Sequence, residues 1–122
     1  MMHVAAEGDK DYAYGGRFTG TVLLEMLREA GREGEADVAR VHSESGACTK
    51  WHSHPGGQVL VLVAGTGRAG DRDGDHRELP VGTYIVTPPD TAHWHGAEDG
   101  HEATWLAITY GTTDWTDESP VS

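Results

Sequence analysis

From Gln58 to Ala64 valine and leucine follow one another without a polar break, whereas from Asp37 to His42 apolar and polar side chains alternate. Side chains two apart on a strand share a face, so Asp37–His42 reads as a half-buried strand with Ala39 and Val41 inward and Val38, Arg40 and His42 outward. The Gln58–Ala64 run, apolar on both faces and closed by Gly65, reads as a strand covered on both sides. The periodicity of RFTGTVLLEML, Arg17 to Leu27, does not separate strand from short helix, and we take it as a strand up to Leu24. Arg28 to Asp37 is charged and glycine-broken, as a surface loop is. Trp51 to His54 forms a short strand before the Pro55, Gly56, Gly57 bend. A polar hairpin at an exposed edge follows, its turn at Asp73 and Gly74. Thr83 to Thr87 is a strand stopped by Pro88 and Pro89, His93 to His95 begins another, and Ala103 to Tyr110 is the last before a polar tail. With 17 glycines punctuating β-branched clusters, the expected class is all-β, short strands joined by tight turns.

At 122 residues the chain makes one domain able to bury a core without staples. Residues 1–16 are expected as an N-terminal arm, 17–110 as the barrel and 111–122 as a polar tail. Twenty acidic against nine basic residues give a net charge of −11, which repels phosphate backbones and anionic membrane surfaces. Nucleic acid and membrane are therefore not expected as partners, and the longest apolar run is too short to cross a bilayer. The single cysteine, Cys48, excludes an intrachain disulfide, and MMHVAAEGDK lacks the apolar run of a signal peptide. A reducing, cytoplasmic setting is the expectation.

Candidate chemistry concentrates in two histidine pairs, His52 with His54 and His93 with His95. On a strand each pair presents two ring nitrogens to one point of a barrel interior, and Gln58, beyond the bend, can add an oxygen. His42 and His101 are expected to face solvent, and His3 and His76 to be loop or edge residues. Cys48 reads as a small buried residue whose sole basic neighbour is Lys50. Trp51 and Trp94 flank ligand positions and so point the other way, to pack against the other sheet or a partner subunit. Trp105 shares a face with Ala103, Ala107 and Thr109, where it either walls a pocket or fills it.

The segment GACTKWHSHPGGQVLVLVAG, Gly46 to Gly65, resembles the first signature of the cupin superfamily, and GTYIVTPPDTAHWHGA, Gly82 to Ala97, resembles the second. Asp90 and Ala97 depart from the second pattern at positions that do not ligate. WHSHPGGQ, HWHGA and the early FTGTV are similar to the branch of manganese-dependent hydroxynitrile lyases, over roughly residues 17 to 110. The resemblance implies a cupin β-barrel, a jelly-roll sandwich, with one metal ion held by His52, His54, Gln58 and His93. It also places small pocket residues at Ala39 and Val41 and a catalytic histidine at His95. The second catalytic histidine of that branch falls on Trp105, and a pocket glutamine falls on Thr109.

Imidazole nitrogens with a neutral amide oxygen suit a divalent transition metal, Mn²⁺, Fe²⁺, Co²⁺, Ni²⁺ or Zn²⁺, over Ca²⁺. Because Gln58 is neutral, the ion keeps its full charge, which favours polarising a substrate oxygen. His95 is expected as general base, the alternative being a hydrogen bond that orients a ligand. The leading expectation is a metal-dependent lyase on a small hydroxy or carbonyl compound, with a cyanohydrin as the named case. A quercetinase-like dioxygenase and a non-catalytic small-molecule or metal sensor are the alternatives. A homodimer or higher homo-oligomer is expected, since the N-terminal segment offers a strand that can cover a neighbour's sheet edge.

Overall fold

A computed structural model describes residues 1–14 and 16–121, and the side chains of Ala13 and Tyr14 are not described. Among the described residues eleven strands form in chain order: β1 (Asp9–Tyr14), β2 (Thr21–Arg28), β3 (Ala36–Ser43), β4 (His52–Ser53), β5 (Gln58–Gly65), β6 (Gly67–Asp71), β7 (Gly74–Leu79), β8 (Tyr84–Thr87), β9 (His93–Ala97), β10 (Ala103–Tyr110) and β11 (Asp114–Trp115). They build two antiparallel sheets, six strands in the order β1-β2-β3-β10-β5-β8 and five in the order β11-β4-β9-β6-β7. No helix among the described residues is long and apolar enough to cross a membrane.

The inward faces meet in a core of Phe18, Val22, Val41, Leu60, Leu62, Ala103, Trp105 and Ala107. Here the period of two does its work: Leu60 and Leu62 on β5 sit opposite Ala107 and Trp105 on β10 and turn to the same interior. Trp105 is wholly buried and its indole N–H donates to the Gly96 carbonyl at 3.0 Å, which satisfies its one polar atom. Gly67 on the facing sheet leaves room for that indole, since a Cβ there would stand 2.6 Å from Trp105 Cζ2. Gly65, with φ of +79°, ends β5 where a side chain would collide with the Glu102 carbonyl.

Several boundaries and faces differ from expectation. The strand taken to end at Leu24 runs to Arg28, because its ladder with β1 continues to Met26 opposite Asp9. The outer face of β5 is only partly covered: Val59 and Val61 are half-buried and Val63 is exposed, so the valine run reflects strand propensity as well as burial. The hairpin turn lies at Arg72 and Asp73, with Gly74 already paired to Asp71, since pairing with β9 carries β6 as far as Asp71.

Outward-pointing polar groups are less solvent-exposed than their alternation implied. His42 does not simply face solvent: it is half-buried, 2.9 Å from Thr104 Oγ1 and 3.1 Å from Glu25 Oε1. The chain near Gly8 covers this spot and donates its N–H to Glu25 at 3.0 Å. Trp51 and Trp94 pack with Cys48 under the C-terminal segment, where Val121 meets them and Trp51 N–H donates to the Glu118 carbonyl. Neither the other sheet nor a partner is needed to bury them, and the Arg72 guanidinium lies 3.7 Å above Trp51. Cys48 is buried as expected, but its nearest basic group is Arg68, which donates toward Sγ at 3.6 Å.

Candidate metal centre and cavity

β4, β5 and β9 bring His52, His54, Gln58 and His93 together inside the barrel, all four buried. His52 pairs across the sheet with His93, which sets their rings 4.3 Å apart. The tight Pro55–Gly57 bend, where Gly57 has φ of +84°, returns the chain so that Gln58 enters on the facing sheet. One ring nitrogen from each of His52, His54 and His93 lies within 4.8 Å of the others.

The outer nitrogens settle which atoms face the centre. His52 Nδ1–H donates to the Lys50 carbonyl at 2.8 Å, and His93 Nδ1–H donates to the Thr91 carbonyl at 3.0 Å. A neutral imidazole has one N–H, so Nε2 of each ring is left as a lone pair. His54 Nδ1 is 2.9 Å from Thr113 Oγ1, and its buried Nε2 has no hydrogen-bond partner. Gln58 donates through Nε2 to Thr109 Oγ1 at 2.8 Å, leaving Oε1 3.0 Å from His93 Nε2. Lone pairs facing one another in a buried site repel unless a cation lies against them. The residues therefore fit a metal ion, with three imidazole nitrogens and one carboxamide oxygen as donors. Burial and neighbouring imidazoles keep the rings unprotonated, which ligation requires: His52 is pushed down to about 3 and His54 to about 4, while burial also lowers His93.

A cavity of about 370 Å³ opens beside this centre and reaches His54, Gln58 and His95. Of the residues expected to line it, Ala39, Val41 and Thr109 do. Trp105 does not: it fills the interior behind His95, ring centroids 6.0 Å apart, because Gly67 makes space for the indole there and the Gly96 carbonyl accepts its N–H. His95 is buried at the cavity wall, its backbone tied to Thr49 and its Nδ1 without a hydrogen-bond partner. Burial first, then the three neighbouring imidazoles, push its protonation far below the ordinary histidine range. A second cavity of about 350 Å³, lined by Leu60, Leu79, Ile85 and Trp94 among others, also reaches His93.

Two site residues come from the stretch expected as a polar tail. Thr113 meets His54, and Trp115 on β11 lies against His52 and lines the cavity with Phe18, their rings edge to face at 5.7 Å. The one signal in the sequence was an isolated tryptophan in an otherwise polar segment.

The cupin domain family matches residues 39–109, more than half the chain and both histidine pairs. The chain belongs to this family. Among proteins similar to this cupin is the (R)-mandelonitrile lyase of Granulicella tundricola, 41% identical over 91 residues that make up 75% of this chain and 70% of that protein. A cupin-like protein of Thermotoga maritima superimposes with a TM-score of 0.75 at 32% identity, covering 95% of this cupin and 87% of that chain. A second Thermotoga maritima protein, named as a predicted oxalate decarboxylase, has a TM-score of 0.77 over 92% of this cupin and 100% of its own chain, and at 18% identity shares the fold alone.

Proposed function

We propose that this cupin is a metal-dependent lyase that cleaves a cyanohydrin into an aldehyde and hydrogen cyanide. The observation that carries the reading is the placement of the buried, unpaired His95 in a cavity shared with His54 and Gln58. The likeness to a mandelonitrile lyase supports the choice of substrate.

A divalent ion held by His52, His54, Gln58 and His93 would supply Lewis acidity toward the substrate oxygen. Ala39, Val41 and Ala107 offer an apolar wall for the organic group, and the cavity volume of about 370 Å³ suits a small molecule. His95 accepts the hydroxyl proton. As the carbon–oxygen double bond forms, the bond to the nitrile carbon breaks and its electron pair leaves with cyanide. The proton then passes from His95 to cyanide, so aldehyde and hydrogen cyanide account for every atom of the cyanohydrin. Burial and the neighbouring imidazoles keep His95 unprotonated, the form in which it can accept a proton.

The test is benzaldehyde release from mandelonitrile under nitrogen, followed by absorbance, with protein loaded in turn with Mn²⁺, Fe²⁺, Co²⁺, Ni²⁺ and Zn²⁺. Turnover above the protein-free rate is expected with at least one ion, manganese being the first to try. No release with any of the five overturns the reading. Oxygen consumption with a phenolic substrate would instead point to a dioxygenase.

A further inference from the structure

His54 differs from the other two histidines in what holds its outer nitrogen. Carbonyl oxygens accept and never donate, so the Lys50 and Thr91 carbonyls compel His52 and His93 to keep the proton on Nδ1. The partner of His54 is the Thr113 hydroxyl, 2.9 Å from Nδ1, and a hydroxyl can do either. Where it accepts, Nε2 of His54 offers a lone pair to the centre. Where it donates, the proton of the neutral ring moves to Nε2, and His54 turns an N–H toward the other ligands and cannot ligate.

Thr113 stands on a segment beyond the 39–109 span that matches the cupin family. That segment is tied down by backbone hydrogen bonds and a ring contact. Asp114 and Trp115 pair with Ser53 and His52, and Thr116 donates both its N–H and its hydroxyl to the Trp51 carbonyl at 3.0 and 2.9 Å. Trp115 lies along the His52 ring, 4.5 Å between centroids and 31° from parallel. The C-terminal arm thus touches two of the three histidines, one through a hydrogen bond and one through a ring face.

We propose that Thr113 is a positioning residue whose hydroxyl accepts from Nδ1–H of His54 and thereby sets its tautomer, so that the C-terminal arm governs how firmly the centre holds its ion. The proposal rests on reading His52, His54, Gln58 and His93 as a metal centre. Thr113 is half-buried near the surface, and its replacement by valine removes the hydroxyl while keeping the shape.

Long-range proton–nitrogen spectra of metal-free protein, with its histidines labelled with nitrogen-15, report the tautomer directly. Competition with a chelator reports affinity for Mn²⁺ and Zn²⁺. The wild type is expected to show His54 protonated on Nδ1 alone. Thr113→Val is expected to show a mixture and to weaken both ions by roughly 10- to 100-fold, the usual cost of removing a partner that orients a ligand. Thr113→Ser is expected to restore both properties. A metal-free wild type protonated on Nε2 overturns the proposal without need of any variant, as does a Thr113→Val protein with one tautomer and unchanged affinity. If the wild type binds neither ion, the metal reading fails on its own account, and the tautomer comparison still decides the role of Thr113.

Discussion

The indole of Trp115 lies along the imidazole of His52, 4.5 Å away and 31° from parallel, while its neighbours Phe18 and Arg17 enclose it from the N-terminal side. A strand of two residues would be weak if its backbone ladder were all that held it. Ring contact and cavity lining make β11 part of the barrel instead. Trp115→Leu is therefore expected to cost about 1–2 kcal/mol, below the ~3–5 kcal/mol of truncating a fully buried aromatic. Urea denaturation of metal-free protein checks this, and no measurable change would show that the arm adds nothing to stability.

Gly67 and Trp105 make a tighter pair. A methyl group at residue 67 would stand 2.6 Å from the indole, and Trp105 is fully enclosed with its N–H committed to Gly96. Gly67→Ala is expected to destabilise the fold by about 1–3 kcal/mol, the cost of forcing extra volume into a filled interior. Equilibrium unfolding at neutral pH measures it.

For the proposed lyase, His95→Gln is expected to lower kcat roughly 10²- to 10⁴-fold, the range for losing a general base, with metal content unchanged. Elemental analysis alongside the rate separates loss of the base from loss of the ion. An unimpaired rate would remove His95 from the mechanism.

An ion held at the proposed centre would link metal binding to stability through the same donors. An ion at 100 times its dissociation constant stabilises the folded state by about 2.7 kcal/mol, and a chelator reverses the gain. Thermal melts with and without Mn²⁺ should therefore differ for the wild type and coincide for His93→Ala, which takes one nitrogen from the centre.

Acid acts through two buried carboxylates outside the site. Glu25 is held down to about 2 by the Gly8 N–H, then His42 and Arg40, and Glu98 to about 2 by Arg77, then the Glu78 and Asp99 N–H groups. The ordinary value for each is 4.5, so in this range the unfolded chain binds protons that the folded chain refuses. Their contribution is complete above pH 4.5 and is lost as the pH falls toward 2. Melting temperature should drop across that interval, and Glu98→Gln should have a lower melting temperature at pH about 7 and a shallower acid drop.

Much of the centre was legible because strand geometry turns sequence spacing into direction. His52 and His54 straddle a single residue, as do His93 and His95, and Ala39 and Val41 do the same on β3, so each pair had to share a face. The strand β10, Ala103–Tyr110, has the expected limits, its burial alternating from one end to the other, although β11 follows it where no strand was expected. Periodicity carries no such message for Trp105, since a large side chain on an inward face suits a pocket wall and a filled core equally. The choice between them came from Gly67, 38 positions away, whose missing side chain leaves a slot for the indole, and from Gly96, 9 positions away, whose carbonyl accepts the indole N–H.

By itself, then, the order of residues determined the β class, the inward direction of the histidines and the chemical kind of ligand they offer, all of which follow from contacts and alternation within a few positions. Only the tertiary structure decided that Trp105 fills rather than lines and that Glu25 is buried beneath the chain near Gly8. It alone decided that Thr113 and Trp115 belong to the centre. These depend on which distant segments close over a given face, and that is set by the joint packing of two sheets, a property no local pattern encodes.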